Sequence, residues 1–331
     1  MTSKTPTQTL TQLLDDLRTR QVRDLAYACF GENLVEHLKG TDARQFSVCL
    51  SPNIATRLRE LDAKPEPLLA FIKQVKSTRL GLYFETLWRY YWQCIEPAPL
   101  LDHNLQVASG GRTLGAFDFI LNDPSRPLHI EAAFKLYLGH GEDLTDPAHW
   151  IGPNANDCLG HKLDHLRSHQ LPLSNTTEGK QTLTSMGVNA KAIERRFLLK
   201  GYLFVPLNAY GDRQSRFNAH GNLPHGVGRT AVRGYWLALN QYLEEHFKVV
   251  NSSGYVIIPR NHWIAPAFHD RRVRPLSAEQ LGRALLHQVG GQKRPKLVAR
   301  VSLQQDVWCE QERFFVVPDH WPTTARPSRK I

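Results

Sequence analysis

The sequence predicts an α/β fold, a mixed sheet flanked by helices, and three observations predict it. Two extended apolar runs meet around a turn within residues 114–138, a helix apolar on nearly every side lies just upstream at 79–95, and a helical stretch at 158–170 precedes another apolar run at 201–207. Helical and extended segments in this order bury one sheet beneath helices.

The elements follow in chain order. Residues 1–60 read as a helical region, with Leu10, Leu13, Leu14 and Leu17 opening a first helix and 22–35 forming a second. In 79-RLGLYFETLWRYYWQCI-95, Glu85 is the one acid of a helix packed on both flanks. Arg89 four residues on could pair with it as an ordinary helical ion pair, and the same position could instead supply a metal-facing acid.

The run 114–121 places Asp118 between Phe117 and Phe119, which reads as a strand. Asn122-Asp123-Pro124-Ser125-Arg126-Pro127 supplies turn chemistry, since Asn and Asp bond their own backbone and each Pro fixes φ and removes a donor. Residues 128–138 resume the extended register, and period-two alternation puts His129, Glu131, Ala133, Lys135 and Tyr137 on one face. Two carboxylates and an ammonium could therefore converge on one sheet surface. The same charges also fit a partly exposed sheet whose side chains cross-pair, for a few tenths of a kcal/mol each.

This order of residues, an acid on a core helix, an Asp in a strand, a turn, then a strand carrying Glu and Lys, resembles the PD-(D/E)XK nuclease-like superfamily. The phrases LGLYFETLWRYYW, GAFDFIL, HIEAAFKLYLG, HQLPLS and WIAPAF look like an uncharacterised bacterial domain-of-unknown-function family, the DUF1853-type proteins, grouped with that superfamily. The resemblance implies a restriction-endonuclease-like α-β-β-β-α-β core, with an N-terminal helical extension and a basic C-terminal α+β extension. It implies catalytic residues Asp118, Glu131, Lys135 and Glu85, of which Asp118, Glu131 and Glu85 would hold Mg²⁺ or Mn²⁺ and Lys135 would stand at the attacking water. The spacing departs from the superfamily's Glu-x-Lys: the second residue after Glu131 is Ala133, and the lysine arrives at Lys135, still on the same face.

The chemistry explains the residue types. Phosphodiester hydrolysis develops negative charge on phosphoryl and leaving oxygens, which hard cations held by carboxylates stabilise while lowering the pKa of a bound water. An ammonium beside that water favours hydroxide.

Downstream, 152-GPNAND-157 supplies turn and N-cap residues for a helix over 158–170. His161, His165 and His169 at i, i+4 and i+8 have metal-compatible spacing, but HKLDH lacks the HExxH arrangement of a zincin, and a solvated face touching phosphate through Lys162 is the expectation. A Gly/Asn/His-rich passage at 208–228 marks a boundary, so the chain reads as a helical region 1–60, a core 61–207 and a basic α+β region 208–331. Within the last, 230–246 reads as helix, 253–267 as strand, 298–318 as a hairpin, and the tail TTARPSRKI as disordered.

Charge is uneven. Residues 1–190 hold 19 Lys/Arg against 21 Asp/Glu, whereas 191–331 hold 22 against 10. A basic half suits a phosphate-backbone binder, because cations on the protein release condensed counterions from nucleic acid. The candidate contacts are Lys162, Arg195, Arg196, Arg271, Arg272, Arg274, Lys293, Arg294 and Lys296; the aromatics Tyr235, Trp236, Trp263, Trp308, Trp321 and Phe314 read mainly as core, with Trp263, beside a basic cluster, the one to check for stacking on a base. Five scattered cysteines without CxxC spacing point to free thiols in a reducing compartment. No apolar signal core or membrane-length run is present, so a cytoplasmic protein is expected.

These readings predict a Mg²⁺-dependent nuclease acting on DNA or RNA. A nuclease-like fold kept as a non-catalytic nucleic-acid binder, or a module docking a protein partner, are the alternatives.

Overall fold

The protein is described by a computed structural model over residues 9–122, 126–210, 223–246, 254–291 and 294–322. Part of the 122–127 turn, part of the 208–228 passage, Lys293 and the TTARPSRKI tail lie outside the described residues.

Helices α1 (Leu10–Asp16), α2 (Arg20–Phe30), α3 (Pro52–Ala63), α4 (Glu66–Lys73) and α5 (Leu80–Tyr90) come first, with a two-residue strand β1 (Arg44–Gln45) between α2 and α3. Their starts are written in the sequence. Thr9 and Gln12 form a reciprocal capping box on α1, and Ser51 caps α3 ahead of Pro52 at its first turn. Strands β2 (Leu100–Ser109), β3 (Arg112–Leu121), β4 (Leu128–Gly139) and β5 (Trp150–Ile151) follow, then α6 (Leu159–His165), α7 (Thr177–Ser185) and β6 (Glu194–Pro206). The rest is α8 (Leu207–Tyr210), β7 (Val232–Ala238), α9 (Leu239–His246), β8 (Gly254–Ile258), β9 (Phe268–Asp270), α10 (Ala278–Leu285), β10 (Lys296–Gln304) and β11 (Val307–Val317).

The chain forms two compact units, Met1–Phe134 with Asp164–Lys200, and Lys135–Leu163 with Gly201–Ile331. The divisions fall inside β4, α6 and β6, so each of these elements contributes to both units.

In the first unit β2 pairs antiparallel with β3 from Leu100↔Leu121 to Ser109↔Arg112, and β3 with β4 from Phe119↔Ile130 to Leu121↔Leu128. β6 lies beside β4, and β1 adds to β6 in parallel through Arg44↔Arg196 and Gln45↔Phe197. Helical segments flank this mixed sheet. A π turn at Tyr91–Ile95 extends α5 and brings Trp92 to 4.8 Å from Phe119, ring to ring, with Trp88 5.0 Å from Trp92. Leu173 and Leu183 pack with Val107, Phe117 and Ile120. Burying such aromatic and aliphatic surface is worth about 1.5–3 kcal/mol per side chain, which makes these contacts the main force holding helices to sheet.

In the second unit the end of β6 pairs parallel with β7, β7 parallel with β11, β11 antiparallel with β10, and β10 antiparallel with β8. Helices α9 and α10 close this sheet through Leu239, Tyr242, Leu281 and Leu285, packed on Tyr235, Val298 and Phe314. Among the described residues no helix is long and apolar enough to cross a membrane.

Two elements differ from their sequence readings. Among the described residues of 253–267, read as a strand, the chain is extended only over Gly254–Ile258, because Pro259 cannot donate to a ladder and a 3-10 turn follows at Arg260–His262. Residues 232–238, read as the start of a helix over 230–246, form β7, and only Leu239–His246 is helical. β7 sits between two parallel neighbours, and a strand covered on both faces is a continuous apolar run that periodicity cannot separate from a buried helix. Two glycines show the tightness of the packing. Gly201 adopts φ +145, and a Cβ there would come within 1.7 Å of the Lys135 carbonyl oxygen; a Cβ at Gly234 would come within 1.9 Å of that of Arg313.

Candidate functional site

The first unit positions two of the predicted acids together. The β3–β4 ladder is regular from Leu121↔Leu128 to Phe119↔Ile130, and one more step of the register sets Asp118 beside Glu131. At that step a side chain takes over from the backbone: Asp118 Oδ2 accepts the Ala132 N–H at 2.8 Å. The carboxylate thereby satisfies a strand amide and is anchored by it.

Glu131 is buried, and its neighbours fix it. Its Oε1 shares a hydrogen bond with His129 Nε2 at 2.7 Å, and its Oε2 accepts from the side-chain amide of Gln170. His129 is fully buried, with its ring 4.7 Å from Phe117, edge to face. Burial pushes its pKa down from 6.5 to about 3, the nearby Asp118 pulls it up, and Arg195 pushes it down further. Burial thus favours the neutral imidazole, whose Nε2 shares its hydrogen bond with the Glu131 carboxyl group, and among the described residues its Nδ1 has no hydrogen-bond partner.

The other predicted residues stand as follows. Glu85 is half-buried on α5. Arg89, one turn on, lies over the Phe71 ring at 5.2 Å, and burial holds its pKa down. Lys135 belongs to the second unit, where its Nζ pairs with Asp157 at 2.6 Å and Tyr137 Oη donates to the same carboxylate at 3.4 Å. Asp157, read from sequence as a turn and cap residue, is thus the lysine's partner. The rings of His165 and His169 stack at 5.1 Å, and Ser168 bonds His169 Nδ1. Among the described residues no group of three or more His, Cys, Asp and Glu gathers as a metal site.

Several basic candidates make ion pairs, most of them with an exposed partner. In the first unit Arg195 pairs with Asp42 at 2.5 Å and Arg196 with Glu194. In the second, Arg271 meets Asp306 at 3.1 Å and Arg272 meets Asp270 at 3.7 Å, while Arg274 is exposed. Lys162 is half-buried on α6. Arg294 and Lys296 line a cleft of the second unit, and Lys293 lies outside the described residues.

Gln170 is the functional-site residue that sequence reasoning missed. It ends a π turn, Leu166–Gln170, that continues α6, and the extra residue in that turn changes which side chain faces the sheet. A regular α-helical wheel drawn over 158–170 does not contain this information.

The donor set fits a hard cation in part. Asp118 and Glu131 offer oxygen ligands, and Mg²⁺ commonly takes one or two protein carboxylates with water completing its octahedron. Hydrogen bonds to Asp118 and Glu131 orient these carboxylates as outer partners orient metal ligands.

A family model described as a domain of unknown function, DUF1853, matches residues 23–317. Neither curated proteins nor solved structures returned a match.

Proposed function

We propose that this chain, which belongs to the DUF1853 family, hydrolyses phosphodiester bonds of DNA with Mg²⁺ or Mn²⁺ held by Asp118 and Glu131. The observation that carries the reading is the opening of the β3–β4 ladder at Asp118, where an acid bonds a strand amide beside a second, buried acid. The chain order α5, β2, β3, β4, α6, α7, β6, interrupted by the two-residue β5 between β4 and α6, supports reading a PD-(D/E)XK-like core around it. So do an acid on α5 and two acids on the paired strands.

When bound, the cation would polarise a phosphoryl oxygen and lower the pKa of a water. The chain's own residues do the positioning. Ala132 N–H fixes the Asp118 carboxylate; His129 and Gln170 fix that of Glu131. Neutral His129 avoids adding a positive charge that would compete with a cation for Glu131. Glu85 and Lys135 are assigned by resemblance, and their variants test that assignment.

The deciding experiment pairs calorimetric Mg²⁺ or Mn²⁺ binding with cleavage of single- and double-stranded DNA, for the wild type and Asp118→Ala. Metal-dependent cleavage lost in Asp118→Ala supports the reading, with a loss of about a hundredfold or more expected for removal of a group that places the metal. Glu85→Ala and Lys135→Ala then rank those residues, and an RNA substrate settles the preferred polymer. No divalent-metal binding by the wild type, even with DNA present, defeats it.

A second reading has its own observation. Both Glu131 oxygens are hydrogen-bonded and Lys135 is paired with Asp157, as they would be in a nuclease-like fold kept for binding alone. That protein would bind nucleic acid in EDTA and never cleave it.

A further inference from the structure

The second unit carries a cleft of about 980 Å³ whose lining includes Arg260, Arg294, Lys296, Trp263, Asn154 and Gln288. From these residues we infer a binding groove for single-stranded nucleic acid, with the phosphate backbone on the three cations and a base against the exposed Arg260 guanidinium, which lies over the buried Trp263 ring.

Register explains the convergence of charge. β8 and β10 pair antiparallel through Leu297↔Ile258 and Val298↔Ile257, so the residues just before Leu297 run beside those just after Ile258. Arg294 and Lys296 therefore come alongside Pro259 and Arg260 at one end of the strand pair. Among the described residues lining the cleft there is no Asp or Glu, and none of the three cations makes an ion pair with a described residue. This separates them from Arg271 and Arg272, whose charges are met by Asp306 and Asp270. Three unneutralised cations on a concave surface attract a polyanion and focus its field.

The remaining lining selects the kind of polyanion. The Arg260 guanidinium lies 6.0 Å from the centroid of the Trp263 ring. A planar guanidinium backed by an aromatic ring offers the flat face on which unpaired bases stack. The Asn154 and Gln288 amides can each donate and accept, which suits base edges rather than phosphate alone. Beneath them the wall is stiff. Trp263 Nε1 donates to the Ile258 carbonyl at 3.1 Å. Buried Arg313, paired with Glu310, donates to the carbonyls of Trp263 at 3.3 Å and Ala265 at 3.1 Å. The volume is at the top of the range of about 300–1,000 Å³ for ligand pockets, room for a length of strand.

The test needs no cleavage and does not rest on the nuclease reading. Full-length protein carrying Asp118→Ala, in EDTA, is titrated into a short fluorescent single strand across a salt series. Counterion release from single strands gives a slope of about −0.7 per phosphate contact, so losing two contacts costs about 25-fold at a salt concentration of about 0.1 M. Arg294→Ala with Lys296→Ala should weaken binding by that factor and flatten the slope by about 1.4. Arg260→Ala should reduce affinity and also the preference for a strand with bases over an abasic one. Lys64→Ala with Lys73→Ala, a control pair of exposed lysines on the first unit outside the cleft, should leave affinity unchanged. The inference is overturned if the cleft and control pairs fall equally or the cleft pair does not fall. It is overturned too if duplex is preferred, or if tripolyphosphate and the abasic strand bind as tightly as the strand with bases.

Discussion

His129 shows how far one residue's environment reaches. Its folded pKa, about 3, lies below the ordinary 6.5, with burial the first cause. In that interval the unfolded chain binds a proton that the native protein does not, so stability is complete above 6.5 and falls as pH drops toward 3. One such proton is worth about 1.4 kcal/mol per pH unit. Urea unfolding of wild type and His129→Gln between pH 6.5 and 5 should give a steeper loss for wild type by about that slope; parallel curves would mean that the imidazole is accessible to protons. At this scale the sequence was partly legible. Asp118, Glu131 and the shared face of His129 follow from period-two alternation, because a strand's side-chain direction is fixed by its backbone. Gln170 and Asp157 were not legible as partners, since each is joined to β4 by a tertiary contact between residues at least 22 positions apart.

At the scale of elements, Gly201 is the most constrained point in β6. Its φ of +145 lies where L side chains are strained, and a Cβ would overlap the Lys135 carbonyl oxygen, which is backbone and cannot swing away. Gly201→Ala should cost about 3 kcal/mol or more, read as a drop in the denaturation midpoint at constant m, whereas Gly187→Ala should cost less because nothing lies within 4 Å of its added methyl, leaving only the strain of its positive φ. If the two variants lose equal stability, the approach of β6 to β4 is looser than the 1.7 Å overlap implies. Strand pairs adjacent in the chain, β3–β4 and β10–β11, are visible in sequence because alternation and turn residues agree. β7 is not, because its extended state is imposed by β6 and β11 on either side, and tertiary pairing overrides local propensity.

At the scale of the whole chain, charge asymmetry and the order of elements can be read from sequence, but the membership of each unit cannot. A linear reading cuts at residues 207/208, where composition changes, whereas the second unit also includes Lys135–Leu163 and Gly201–Leu207. Composition marks loops, and loops need not mark units when strands are shared. This yields a prediction about fragments. When residues 208–331 are expressed alone, β7 loses its parallel partner, since the pairing Leu203↔Val232 through Pro206↔Trp236 comes from β6. Phe315 loses Phe204, whose ring lies 4.8 Å away, and Arg313 loses the Tyr202 ring 4.7 Å beneath its guanidinium. An exposed parallel edge with uncovered aromatic surface is prone to associate. The fragment should therefore lack the dispersed amide spectrum and cooperative melt of a folded domain, and should aggregate on concentration, while the full chain melts cooperatively. A monomeric 208–331 fragment with a sharp thermal transition would show that the basic region folds without β6, and would restore the boundary that composition suggests.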